Sequence, residues 1–401
     1  MPSPSSPLIV RNVRLGVSDE FAADAAVDVR VEGATIAAIT PASTEAEPGV
    51  EVVDGRGLLA LPGFVNAHAH VDKSWWGHPW ESYGGDGGTE GRIRHERARR
   101  DDLGIPSREI SARVLGELVR HGTTAIRTHV DVDLGIGLRG IEAVREAAAE
   151  YGDALRVEIV AFPQDGVLRR PGVSALLADA ARAGADHIGG LDPASIDRDP
   201  VGQLDTIFAI AAEHGVGVDI HLHDPAELGV FQIELIIDRT EALGLAGRVN
   251  VAHGFALAQV SPPRRHDLLQ AMAALDITMT TVAPLRLPQL PLGGLDDARV
   301  RFGFGTDGIR DLWSPYGTGD LLGIAWQYAR ASGLVRDEDL RRVVDIATGG
   351  SAPFAGLDRH RFRTGDRADI VLLNAENAMD ALVRVPRREL VIGGGRVLVR
   401  A

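Results

Sequence analysis

From residue 61 to residue 307 the sequence repeats one alternation, and no other feature restricts the fold as much. A short, apolar, β-branched run is followed by a longer alanine- and leucine-rich stretch carrying scattered charge. The short runs cover residues 61–70, 124–131, 156–162, 187–191, 217–224, 248–253, 277–282 and 301–307. Their length and composition read as strands, whereas 107–120, 141–151, 173–183, 201–214 and 230–243 read as helices. Eight strand–helix units with polar residues gathered at the strand ends predict an α/β chain folded as a (β/α)8 TIM barrel, with its site at the C-terminal mouth. Residues 8–61 and the C-terminal stretch carry short β-segments punctuated by Gly, Asp and Pro. The expected division is a small β-sandwich domain from 1–61 and 356–401, and a barrel over 62–355.

The first barrel strand ends in His68-Ala69-His70. Strand side chains alternate with period two, so both imidazoles project from one face. An isolated pair of this kind is more often two satisfied polar residues than half a metal site, so further ligands are needed. His221 ends the fifth strand, His253 the sixth and Asp307 the eighth. A set of His68, His70, His221 and Asp307 would close on one divalent ion and leave room for water. Such an ion lowers the pKa of bound water toward about 7, and an adjacent carboxylate can take the proton. The chain has no cysteine, so any metal must sit on nitrogen and oxygen ligands. Zinc is the expected ion, with iron(II) as the alternative.

A net charge of −14 argues against a nucleic-acid surface. No apolar run approaches the roughly 18 residues a membrane span needs, and the N-terminus lacks the basic and apolar regions of a signal peptide. The expectation is a cytoplasmic, homo-oligomeric protein with a small-molecule partner.

Between the first strand and the first predicted helix, residues 71–106 form an unusually long connection holding Trp75, Trp76, Trp80 and Tyr83. It reads either as a lid whose aromatics stack on a planar substrate or as packing over the barrel rim. Lys73, the only lysine in the chain, opens this connection.

Pro62-Gly63-Phe64 leading into His68-Ala69-His70, with His221, His253 and Asp307, resembles the amidohydrolase superfamily. Residues 127–132, the run 160–166 ending Pro163-Gln164-Asp165-Gly166, and Trp313-Ser314-Pro315-Tyr316-Gly317-Thr318 are similar to its cytosine deaminase branch. That branch has Glu where this chain has Asp224, a second Asp where it has Gly308, and a neutral hydroxyl residue where it has Lys73. A neighbouring branch, the N-isopropylammelide amidohydrolases, is similar in His70-Val71-Asp72-Lys73-Ser74, His221-Leu222-His223-Asp224, residues 189–194 and Ile309-Arg310-Asp311-Leu312-Trp313, although a side-chain amide is expected there at position 308.

The resemblance implies a metal-dependent deaminase acting on a nitrogen heterocycle such as a pyrimidine or hydroxy-s-triazine, releasing ammonia or an alkylamine. Metal-bound hydroxide would attack, Asp307 would accept its proton, His253 would stabilise the developing charge and Asp224 would protonate a ring nitrogen. Gln164 would hydrogen-bond the substrate edge and Trp313 would wall the pocket. Lys73 would favour an anionic or oxygen-rich ring, or else simply pair with Asp72 or a lid carboxylate. A carbamylated bridging Lys73 is disfavoured, since the fourth strand, where such a lysine is expected, offers only Gly189 and Gly190. His223 shares a face with His221 and could orient Asp224, meet substrate or cap the barrel; His129 is similarly open. The alternatives are ring-opening hydrolysis of a cyclic amide or imide, and a metal-free scaffold that has lost catalysis.

Overall fold

The computed structural model describes residues 7–17, 21–22, 24–45 and 48–401. Five strands come first: β1 (Leu8–Leu15), β2 (Ala26–Glu32), β3 (Thr35–Pro41), β4 (Glu51–Asp54) and β5 (Leu59–Pro62). After Gly63 a second series begins with β6 (Phe64–His70), β7 (Thr123–Asp131), β8 (Arg156–Phe162), β9 (His187–Leu191) and β10 (Gly217–Leu222). It continues with β11 (Val249–His253), β12 (Thr278–Thr281), β13 (Phe302–Phe304) and β14 (Asp307–Gly308). Helices separate most of these strands, and β15 (Ile370–Leu373), β16 (Arg388–Gly393) and β17 (Arg396–Arg400) end the chain.

The second series forms one parallel sheet in the order β13-β12-β11-β10-β9-β8-β7-β6-β14. Parallel strands covered on both faces read as continuous apolar runs, and every residue of β6, β7 and β10 is buried. The last two strands are halves of one stretch. β13 pairs with β12 through Met279 and Phe302, while β14 pairs with β6 through Asp307 opposite Ala69. Residues 302–308 therefore meet both edges of the sheet. The glycines of that stretch are required by the close approach: a Cβ on Gly303 would stand 2.8 Å from the Ala67 Cβ, and one on Gly305 would overlap the His68 carbonyl oxygen. Asn66 locks the seam, accepting from the Thr306 N–H at 3.1 Å and donating to its hydroxyl at 2.8 Å.

The strands of the two chain ends join in a second sheet, ordered β17-β16-β15-β5-β1-β2-β3 with β4 on β1. β5 is its hinge, parallel to β1 and antiparallel to β15. Strands from the two chain ends thus share one sheet.

The long first connection is more structured than the sequence suggested. It contains a helix, Gly88–Arg99, which turns only Gly91, Ile93 and Glu96 fully inward. Its sequence is too charged to carry an apolar stripe, which is why periodicity did not reveal it. Trp75 is buried against Leu103, Ile105, Ile110 and Leu312, with its indole N–H donating to the Asp311 carbonyl at 3.0 Å. It packs the rim, whereas Trp80 and Tyr83 are exposed. Among the described residues no helix is long and apolar enough to cross a membrane.

Candidate metal centre

Five strands of the parallel sheet, β6, β7, β10, β11 and β14, supply the side chains of the cluster. β6 presents His68 and His70 with ring centroids 5.5 Å apart. β10 brings His221, whose Nε2 lies 3.3 Å from His70 Nε2. β14 brings Asp307, with a carboxylate oxygen 3.3 Å from His70 Nε2 and 3.6 Å from His68 Nε2. His70 thus lies 3.3 Å from both His221 and Asp307, with His68 3.6 Å from Asp307. β7 adds His129, 4.3 Å from His68 between ring centroids, and one nitrogen from each of His68, His70, His129 and His221 falls within 4.8 Å of the others. His253, from β11, makes a second such group with His68 and Asp307. The backbone is left-handed at His253 (φ 69°) and Asp307 (φ 59°), a strained conformation for residues with a Cβ.

The chemistry of this donor set fits a divalent ion. Both ring nitrogens of His68 and of His253, and Nδ1 of His70 and His221, are buried with no hydrogen-bond partner among the described residues. Buried polar atoms are rarely left this way, and a coordinated cation would take one nitrogen from each ring that binds it, as at His68. Burial, reinforced by the Lys73 ammonium, pulls the His70 pKa down to about 3, and burial beside His68 pulls that of His129 to about 4. Burial and the neighbouring imidazoles likewise hold His221 and His253 well below the usual histidine value. The lone pairs are therefore not lost to protons at neutral pH. Burial alone would raise the Asp307 pKa, but the His68 and His70 imidazoles beside its carboxylate hold it well below the carboxylate range. Behind His129 stands Asp219, 3.3 Å from its Nε2 and itself held by Arg127 and Asn250. A carboxylate behind an imidazole fixes its ring and tautomer.

A second set of groups flanks the cluster. Lys73 Nζ lies 2.9 Å from an Asp131 carboxylate oxygen and donates to the Gln164 side-chain oxygen. The rings of Phe162 and Trp313 stand 5.4 and 5.6 Å from it. Lys73, Gln164 and Trp313, separate in sequence, thus lie together. The salt-bridge partner is Asp131 rather than Asp72. Burial opposes the Lys73 charge, yet Asp131, Glu96 and Asp72 together raise its pKa above that of an ordinary lysine. The acids respond in the opposite sense. Burial and repulsion from Asp131 push Asp72 up to about 7, and burial pushes Glu96 well above the usual value despite Lys73. Burial also pushes Asp311 up to about 6.

His223 and Asp224 lie on the other side. His223 stacks on His253 at 4.3 Å, and its Nδ1 pairs with Asp192 at 2.9 Å. Burial opposes protonation of His223, but Asp192 outweighs it and raises the pKa. Asp224 accepts from the Ser195 hydroxyl and, at 2.9 Å, from Gln232. It is not among the residues whose ligand atoms converge.

Sequence reasoning left His129 open and did not single out Glu96, Asp131 or Asp311. For His129 and Asp131 a signal existed, since Arg127, His129 and Asp131 alternate along a strand. Glu96 had none, because its helix was not legible.

A parallel α/β sheet with five histidines and an aspartate at its strand ends defines a metal-site α/β protein of the barrel-enzyme kind. The chain belongs to the amidohydrolase family, whose profile matches residues 107–399. It is 30% identical over 407 residues to the N-isopropylammelide isopropyl amidohydrolase of Pseudomonas sp. (strain ADP), covering 98% of this chain and 97% of that one. The crystal structure of N-isopropylammelide isopropylaminohydrolase from Burkholderia multivorans ATCC 17616 superposes with a TM-score of 0.92 at 39% identity, covering 99% of each chain. The 5-methylcytosine deaminase of Klebsiella pneumoniae liganded with 5-fluorocytosine shares the fold, with a TM-score of 0.83, 24% identity and coverage of 98% of this chain and 97% of that one.

Proposed function

We propose that this protein is a metal-dependent aminohydrolase that removes an amino or alkylamino group from a hydroxylated nitrogen heterocycle, a hydroxy-s-triazine or a pyrimidine. The observation that carries the reading is the convergence of one nitrogen each from His68, His70, His129 and His221, with an Asp307 carboxylate oxygen 3.3 Å from His70 Nε2 and 3.6 Å from His68 Nε2, beside a hydrogen-bonding wall of Lys73 and Gln164. The names of the full-length relatives support the substrate class. The fold expected with this activity is a closed (β/α)8 barrel over residues 62–355, with 1–61 and 356–401 as a small β-sandwich.

In this reading His68, His70, His221 and Asp307 hold zinc, with iron(II) as the alternative, and His129 completes the nitrogen set. When bound, the ion supplies a Lewis-acid centre that acidifies water at neutral pH. Asp307 takes up the proton released as water adds to the amine-bearing carbon and passes it to the leaving nitrogen. His253, neutral and buried, donates a hydrogen bond to the charge that develops at the attacked centre. Lys73 faces an oxygen of the ring, and Gln164, fixed by Glu96 and Asp131, keeps its amide oriented toward the same edge. Trp313 closes the pocket. Asp224, held by Ser195 and Gln232, delivers a proton to the ring nitrogen, and His223, held by Asp192, faces the substrate.

The test is zinc-loaded enzyme incubated with N-isopropylammelide, 5-fluorocytosine and a set of cyclic ureas, with products followed by mass spectrometry. Release of ammonia or isopropylamine with the ring intact is the expected result, and a ring-opened product would shift the assignment to cyclic-amide hydrolysis. His68→Ala and Asp307→Ala are expected to lose bound metal and about 10³-fold or more in turnover, roughly 4 kcal/mol of barrier, while retaining the far-UV spectrum. Full activity in either variant sinks the ligand assignment.

A further inference from the structure

Gln164 has little left to offer a ligand. Its amide nitrogen donates to Glu96 Oε1 at 2.6 Å and to Asp131 Oδ2 at 3.1 Å, and its oxygen already accepts from Lys73. One lone pair on that oxygen remains. The unused hydrogen-bonding groups of this wall belong to its neighbours. Lys73 has three N–H donors and gives one to Asp131 and one to Gln164. The Trp313 ring stands 5.6 Å from Lys73 Nζ, and its indole N–H is buried with no acceptor among the described residues. Glu96 Oε2 is buried without a partner too, on a residue 2% exposed. The helix Gly88–Arg99 holds Glu96 against this wall, since Ile93, one turn earlier, packs with Phe162 and Trp313. Burial raises the Glu96 pKa well above the usual value, and Oε1 is engaged as an acceptor, so the carboxyl proton falls on Oε2. Lys73, Trp313 and Glu96 thus each keep an unmatched donor, and a buried donor without an acceptor is costly.

We propose that Glu96 is a substrate-binding residue whose Oε2–H donates to a ring oxygen, and that with Lys73 and Trp313 it forms a wall of donors that selects rings carrying more than one oxo group. The proposal rests on the aminohydrolase reading for its substrate. An oxo group can only accept, as an ammonium and an indole N–H can only donate. A mono-oxo ring matches one donor and strands the others, whereas a dioxo ring matches more of them. A site built on buried hydrogen-bonding groups discriminates strongly against ligands that leave those groups unpaired. The preferred class is therefore the dioxo form of a hydroxylated s-triazine, ahead of mono-oxo pyrimidines such as cytosine.

Binding without turnover tests the wall. Zinc-loaded protein is titrated calorimetrically with uracil, a neutral dioxo ring, and with 2-hydroxypyrimidine, its neutral mono-oxo counterpart. The wild type is expected to bind uracil about tenfold more tightly. Glu96→Leu fills the same place without a donor, and is expected to weaken uracil about tenfold while 2-hydroxypyrimidine stays within about threefold. Glu96→Gln can turn its oxygen to the Gln164 amide and its N–H to the place of Oε2–H, so the preference is expected to survive. Trp313→Phe keeps an aromatic wall without the N–H and is expected to shrink the preference, which provides a reading even where Glu96→Leu fails to fold. Equal weakening of both rings in Glu96→Leu would show that Glu96 serves only to hold the fold or Gln164, and would overturn the proposal. Loss of the preference in Glu96→Gln would remove the donor assignment. If amine is released from N-isopropylammelide but the wild type binds both rings equally, the aminohydrolase reading stands and the donor wall falls. If no compound yields amine while the preference and its loss in Glu96→Leu are both seen, that reading falls and the wall stands.

Discussion

Lys73 and Asp131 face each other at 2.9 Å with almost no access to water. Removing one member of such a pair strands the other, at a typical cost of about 3–5 kcal/mol, whereas replacing both with apolar groups is often neutral. Asp131→Ala is therefore expected to lower the urea midpoint markedly, and Lys73→Met in the same chain to restore part of the loss. A double-mutant cycle measures the coupling, and additive effects would show that the two do not act as a pair. The ligand histidines teach a different lesson at this scale. His68 and His70 were readable because alternation along one strand fixes their common direction. His129 was left open because a single imidazole declares nothing until the neighbouring strand places another beside it. Asp311 was hidden more deeply, since it is held by the backbone N–H groups of Trp313 and Ser314 in a turn that no pattern of apolar residues encodes.

The helix Gly88–Arg99 packs Ile93 with Phe162 and Trp313 and brings to the site Glu96, whose Oε1 accepts from the Gln164 amide at 2.6 Å and whose Oε2 is buried without a partner among the described residues. Burial raises its pKa in the folded state, so the folded protein holds a proton that the unfolded chain releases above about pH 4.3. Its contribution is thus fully present below that pH and is lost as pH rises through the raised folded value. Glu96→Gln keeps the neutral shape and is expected to flatten this part of the pH–stability curve. Parallel melting curves from pH 4 upward would contradict it if the variant and wild type fell equally. A second element is tied down from outside the parallel sheet. Arg388 on β16 donates to the His121 carbonyl at 2.9 Å, pairs with Asp320 and covers the Phe64 ring at 5.1 Å. Asp320 also caps the helix Leu321–Ala331. Arg388→Ala removes all three contacts, so a loss of about 3 kcal/mol or more is expected in denaturant unfolding, and a loss below about 1 kcal/mol would show that solvent replaces the arginine.

Across the whole molecule, the alternation of strand and helix was legible because local periodicity carries it, and the helices Arg108–Arg120, Val173–Arg182 and Pro200–His214 fall within a residue or two of where the sequence placed them. The helix Gly88–Arg99 was not, because its inward face is a glycine, one isoleucine and an acid. The partner of β5 across the chain was only guessed, since pairing between residues 59–62 and 370–373 depends on contacts that no local pattern records. That pairing bears on how the protein is made. A ribosome delivers β5 and the His68–His70 strand some three hundred residues before it delivers β15, so throughout synthesis one flank of β5 has no neighbour and must stay out of the reach of other nascent chains. The strand holding His68 and His70 begins two residues after this late seam, so the last strands to leave the ribosome complete the sheet from which that strand departs.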